Sequence, residues 1–169
     1  MKRKITISIC VAVLIFLSFS TYKYLQLNNN RLNIYGDRVL WLAVNTQSSI
    51  YAITETSVTE EDFNRNLEEL IVNIYALQNV LESGEILLSG NGVNGSEFYY
   101  SLDSLKSVLK YDNKNLKDLP EIGAINRATD VLIERLRPYH SDGKNISKKE
   151  LLAVTQLALM EMRLIELLQ

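Results

Sequence analysis

His140 stands two residues before Asp142, and this His-x-Asp pair is the nearest approach to a metal or acid–base constellation in the chain. A protein metal site needs three or four converging ligands. The chain has one histidine and one cysteine, Cys10, which lies inside an uncharged apolar run. No intrachain disulfide and no Cys-ligated metal site can form, and His140 reads as a solvated turn residue after Pro138 and Tyr139. Nucleophilic catalysis needs an activated Ser, Cys, Thr or Lys beside a base, and no Gly-x-Ser-x-Gly elbow is present. The carboxylates of Glu60-Glu61-Asp62 and Glu68-Glu69 could serve as an acid–base pair if their environments differed. Their place at a helix start and on its outward face is explained by dipole complementation and solvation. The glycines at 90, 92 and 95 are not followed by Lys-Ser or Lys-Thr, so a phosphate-binding loop is not indicated. Asn94-Gly95-Ser96 and Asn145-Ile146-Ser147 match the glycosylation acceptor pattern, which matters only in a eukaryotic secretory pathway. The chain is expected to be non-enzymatic and to use neither a metal nor a cofactor.

Two features suggest binding instead. Ile34 and Trp41 lie seven residues apart, off the main apolar stripe of their helix, and with Leu40 they form a candidate partner-binding or self-association face. Thr46, Ser49 and Gln78 place polar groups within or beside the expected core. Such groups commonly bond to local backbone, and alternatively line a small ligand pocket between helices.

The elements that position these residues are read from charge and periodicity. Residues 5–22 carry no charge, and at about 1.5 Å per residue the run gives roughly 27 Å of helix, or roughly 34 Å if extended to Leu27. Lys2, Arg3 and Lys4 precede it, which keeps the N-terminus cytoplasmic and sends the remainder outside. Tyr22, Lys23 and Tyr24 suit the far interface. The expected organisation is a cytoplasmic tip and single-pass signal anchor over residues 1–27, then an extracytoplasmic domain over 28–169. A signal peptide cleaved after Ser20 is the competing reading and would make the domain secreted. Beyond Lys23 the chain carries 14 basic against 20 acidic residues, which disfavours nucleic acid as a partner.

Apolar residues then recur at steps of three and four, the period of helices with one buried face. The first soluble helix is predicted over 25–55, continuous with the membrane segment, its stripe being Leu32, Tyr35, Val39, Leu42, Thr46, Ser49 and Ile53. The second begins at Thr59, with Glu60, Glu61 and Asp62 in its first turn, buries Phe63, Leu67, Leu70, Ile74, Leu77 and Leu81, and ends near Gly84. A shorter third helix starts at Ser96 with Phe98, Leu102, Leu105 and Leu109. The fourth starts around Asp118, Pro120 and Glu121, carries Ile122, Ile125, Thr129, Leu132 and Leu136, and stops at Pro138. Ser147 and Glu150 form a capping box for the fifth, with Leu151, Val154, Leu157, Met160, Leu164 and Leu168 as its stripe.

Together these predict an all-α, antiparallel four-to-five-helix bundle. The stretch from Glu55 to Asp103 has ten acidic residues and one basic, that from Ser104 to Lys149 ten basic and six acidic. The acidic second helix is therefore expected beside the later, more basic ones. The leading functional expectation is a membrane-anchored module that binds a protein partner. The alternative is a ligand-sensing bundle, similar only in architecture to the extracytoplasmic four-helix domains of bacterial chemoreceptors, that passes its signal to a separate partner.

Overall fold

No proline and only one glycine, Gly36, falls between Lys2 and Thr54, and the whole stretch is one 53-residue helix, α1. At about 1.5 Å per residue it is about 80 Å long. The computed structural model describes residues 2–54, 59–87 and 119–163, with side chains over 13–54, 59–81, 83–84 and 119–162. Three more helices follow: α2 at Glu60–Leu87, α3 at Pro120–Ser141 and α4 at Lys148–Arg163. The described residues are helical and contain no strand. The expected helix of Ser96, Phe98, Leu102, Leu105 and Leu109, and the far end of the last stripe at Leu164 and Leu168, lie outside the described residues.

The helix starts follow from capping. The Thr59 hydroxyl accepts the Asp62 N–H at 3.2 Å, satisfying one of the free donors of α2, and the Phe63 N–H donates to the Thr59 carbonyl at 2.8 Å as the first bond of the helix. At α4 the capping box closes both ways. The Glu150 N–H donates to Ser147 Oγ at 3.2 Å, and the Ser147 N–H to Glu150 Oε2 at 3.0 Å. α3 starts with Pro120 at its first position after Leu119, which makes no side-chain cap.

α3 does not stop at Pro138 as expected. It continues to Ser141 with the proline inside its last turn. A proline there forfeits one bond, to the exposed residue Glu134, and water can satisfy that carbonyl. The turn then closes on Gly143, whose φ of 61° is left-handed, while the Lys144 N–H donates to the Tyr139 carbonyl at 3.1 Å. That six-to-one bond past a left-handed glycine terminates the helix.

Contacts between side chains fix the directions. Along α1, Tyr35 meets Leu81 and Ser49 meets Asn73, so α2 runs antiparallel to it. Asp37 meets His140 and Gln47 meets Asp130, so α3 is antiparallel to α1 too. Arg127 pairs with Glu161 and Tyr139 with Glu150, which sets α4 antiparallel to α3. Since α2 and α3 share a direction, Leu87 and Leu119 lie at opposite ends of the bundle. The shared direction agrees with the expected antiparallel bundle, in which the second and fourth helices of the sequence run the same way.

α1 packs against all three other helices, whereas α2 packs chiefly on α1. The expected neighbourhood of acidic α2 and the basic later helices is thus not what organises the described fold. The inter-helix ion pairs Arg127–Glu161 and Asp37–His140 join α3 to α4 and α1 to α3. Exposed pairs contribute too little to choose neighbours, and apolar burial decides.

The core is one cluster drawn from every helix. All seven stripe positions of α1 are buried, as are Leu70, Ile74, Leu77 and Leu81 of α2 and the five named positions of α3. The α4 stripe is corrected. Leu151 and Val154 are buried, but Leu157 and Met160 are exposed, and Thr155, Ala158, Leu159 and Met162 take their place. Repeated steps of three slip by about 60° each on a helix of about 100° per residue, so 157 and 160 rotate out of the core.

From Val13 to Arg31 the side chains of α1 are exposed, and burial begins at Leu32. Among the described residues no helix is long and apolar enough to cross a membrane. The uncharged run at 5–22 falls partly on residues 2–12, whose side chains lie outside the description.

Candidate functional site

The outward face of α1 carries two of the three expected partner-binding residues. Ile34 and Trp41 are 54% and 63% exposed, while Leu40 is 8% exposed and belongs to the core. Leu40 is corrected for a physical reason. A helix touching three neighbours buries a wider arc than one stripe, and position 40 falls on the covered side. The exposed face instead continues downward to Leu27, 58% exposed. Between these apolar residues stand Arg31 and Arg38, both exposed. Leu27, Arg31, Ile34, Arg38 and Trp41 follow one another at steps of four and three, within about 80° of the helix circumference. Neither arginine forms an ion pair or hydrogen bond with the described residues. Sequence reasoning missed both, because it sought apolar spacing and passed over charges at the intervening positions.

The three polar candidates separate. The buried Thr46 hydroxyl donates to the Leu42 carbonyl at 2.8 Å, one turn back, the local bond common for such residues in helices. Ser49 is buried and accepts the Asn73 side-chain amide at 3.0 Å. Gln78 is half-buried on α2. Of the three, Ser49 alone lines an open groove of about 690 Å³ between α1 and α2, together with Asn45, Ser48, Glu68, Glu69 and Asn73. The acidic cluster at the start of α2 is local: the Asp62 carboxylate meets Arg65 at 2.7 Å and the Thr59 hydroxyl at 2.7 Å.

His140 does not pair with Asp142. Its Nδ1 lies 3.0 Å from Asp37 Oδ1 of α1, and Asp142 binds the Lys144 ammonium at 2.7 Å instead. The lysine holds the Asp142 carboxyl below, and the carboxylate holds the Lys144 amine above, their ordinary values. Beside them Asn33 clasps the turn between α3 and α4, its amide donating to Asn145 Oδ1 at 2.7 Å. Its own Oδ1 accepts the Ile146 N–H at 3.1 Å. Asn33, Asp37, His140, Lys144 and Ile146 border a cavity of about 130 Å³. The Asp37–His140 pair is more than half exposed on both sides, and it ties α3 to α1. Glu150 is held below the ordinary carboxylate range by hydrogen bonds from Ser147 and Tyr139. Tyr139 is raised by donating to it.

Among the described residues no three His, Cys, Asp or Glu side chains converge on a point that could hold a metal ion. Two surfaces are open to solvent, the Ile34–Trp41 face and the α1–α2 groove. Comparison with models of protein families, with characterised proteins and with solved structures finds no match.

Proposed function

We propose that this protein is a membrane-anchored, extracytoplasmic, non-enzymatic helical module that binds a protein partner through the outer face of α1. The observation that carries the reading is the continuity of α1. One unbroken helix runs from the basic tip through residues 13–31, where Val13, Leu14, Ile15, Phe16, Leu17 and Phe19 are at least half exposed, into the bundle core. Contiguous exposed apolar surface of this kind is costly in water, and a bilayer relieves the cost. The uncharged sequence at 5–22, with three basic residues before it and Tyr22, Lys23 and Tyr24 after it, supports a single-pass signal anchor with the N-terminus cytoplasmic. Residues 28–169 then form the exported domain. Ile34 and Trp41 are the accessible apolar anchors, and a buried aromatic is the commonest centre of a protein interface.

The test uses the full chain with a C-terminal tag. Carbonate-resistant membrane association, a tag accessible to external protease and an intact N-terminus are expected. Intact chain free in the cytosol sinks the anchor, and a mature N-terminus at Thr21 replaces it with a secreted domain. Trp41→Ala is expected to abolish partner co-purification while leaving the melting temperature unchanged.

A second reading, a ligand-sensing bundle working with a separate signalling partner, is favoured by the polar groove at Ser49. Its sign would be a ligand-dependent rise in melting temperature, lost in Ser49→Ala.

A further inference from the structure

We infer that the partner reaching the outer face of α1 is an acidic amphipathic helix of another protein, lying alongside α1 with carboxylates opposite Arg31 and Arg38. The inference rests on the proposed protein-binding role of this face and names the chemistry of its occupant. Leu27, Ile34 and Trp41 recur every seven residues, and Arg31 and Arg38 recur at the same interval between them. A seven-residue repeat on a straight helix makes a nearly axial row, here about 21 Å from Leu27 to Trp41. A neighbouring helix presents its own side chains at the same interval, so apolar residues and carboxylates seven apart would meet this row in register. Both guanidinium groups lack an acidic partner among the described residues, and each can take a carboxylate in bidentate fashion. By contrast, the inter-helix pairs Arg127–Glu161 and Asp37–His140 are already made within the chain.

Two other occupants fit less well. Among the described acidic residues, Asp37, Asp142 and Glu150 are engaged by His140, Lys144 and Tyr139, and the exposed ones of α2, Glu60, Glu61, Glu68 and Glu69, lie beyond Asn73, which is level with Ser49. Ser49 is eleven residues past Arg38, about 16 Å further along the axis. With two copies standing in one bilayer, these carboxylates would sit well above both arginines. A lipid surface would meet only the first turn of a row that runs parallel to an anchored helix.

The test places p-benzoylphenylalanine at Asn30, exposed one turn before Ile34 beside the row, in the full chain within its native membranes. Irradiation is followed by sequencing of the crosslinked peptide. The expected adduct is a helical segment of another protein with Asp or Glu at seven-residue spacing. Its yield should fall by about tenfold or more in Arg31→Glu/Arg38→Glu and with added salt, since like charges oppose docking. Arg31→Lys/Arg38→Lys should lose less, and circular dichroism should show all variants folded. A protein adduct that ignores charge reversal, or one to a neutral or basic segment, overturns the acidic helix and leaves the binding face standing. An adduct to a second copy overturns it in favour of self-association. Adducts to lipid alone, or none, overturn both the acidic helix and the protein-binding face.

Discussion

The two halves of α1 are chemically alike and physically opposite. Residues 13–31 include Leu14, Ile15 and Phe16, all more than 60% exposed, whereas Val39, Ala43 and Thr46 in the second half are fully buried. Both halves are rich in apolar residues, yet the exposed one contributes nothing to the bundle core. Hydrophobicity supplies the tendency to leave water, and the neighbours available decide where the side chain goes. In the second half, apolar residues are confined to one side and three helices cover them. In the first half they go all the way round, and no described helix lies against them. A helix greasy on every side belongs in an apolar surrounding, while one with a stripe belongs on a core.

The sharpest way to break this comparison is to truncate matched residues in the two halves. Ile50, 5% exposed, is expected to cost about 2–5 kcal/mol as Ile50→Ala, from lost transfer and a residual cavity. Denaturant unfolding of the full chain in uncharged detergent would measure it, and a loss near zero would place the core elsewhere. Next comes Gly84 of α2, where an added Cβ would overlap the buried phenol of Tyr35 on α1. Gly84→Ala should cost about 1–3 kcal/mol by overpacking. The overlap involves ring carbons as well as the hydroxyl, so a smaller Gly84→Ala cost in a Tyr35→Leu background than in the wild type would assign it to that contact. Burial holds the Tyr35 phenol well above its ordinary value. The folded state therefore keeps a proton that the unfolded chain loses, and alkaline pH above the ordinary tyrosine range should erode stability.

A smaller effect is expected at the α4 capping box, where Ser147→Ala should cost about 0.5–2 kcal/mol. Glu150 titrates below the ordinary carboxylate range when folded, so the unfolded state binds its proton first. Its contribution is complete above that range and is lost as pH falls toward the folded value. A melting-temperature profile in acid should flatten in Glu150→Gln. The smallest effect is the counterpart of the first. Ile15, 66% exposed, should change bundle stability by no more than about 0.5 kcal/mol as Ile15→Ala. A large loss there would mean that the two halves are not distinct.

Much of the helical framework was legible in the residues. The stripe from Leu32 to Ile53, the Thr59 start and the Ser147–Glu150 box are local patterns, and each appears where periodicity and capping chemistry put it. The outward positions of Ile34 and Trp41 were legible in the same way, since both fall off the stripe. Leu40 was not, because its burial depends on how many helices touch α1. The α4 stripe was misread by following steps of three without the compensating four. The pairing of His140 with Asp37, in place of Asp142, was hidden by a separation of 103 residues.

By itself the sequence determined that this chain is helical, where most of its helices begin, and which faces are apolar, because hydrogen bonding, capping and side-chain period act within a few residues. Only the tertiary structure decided which helices α2 packs against, that Asn33 clasps Asn145 and Ile146, and that Arg31 and Arg38 are left facing outward without acids among the described residues. Those outcomes depend on the register between separate helices, which is set by packing many side chains at once and is not written in any one segment.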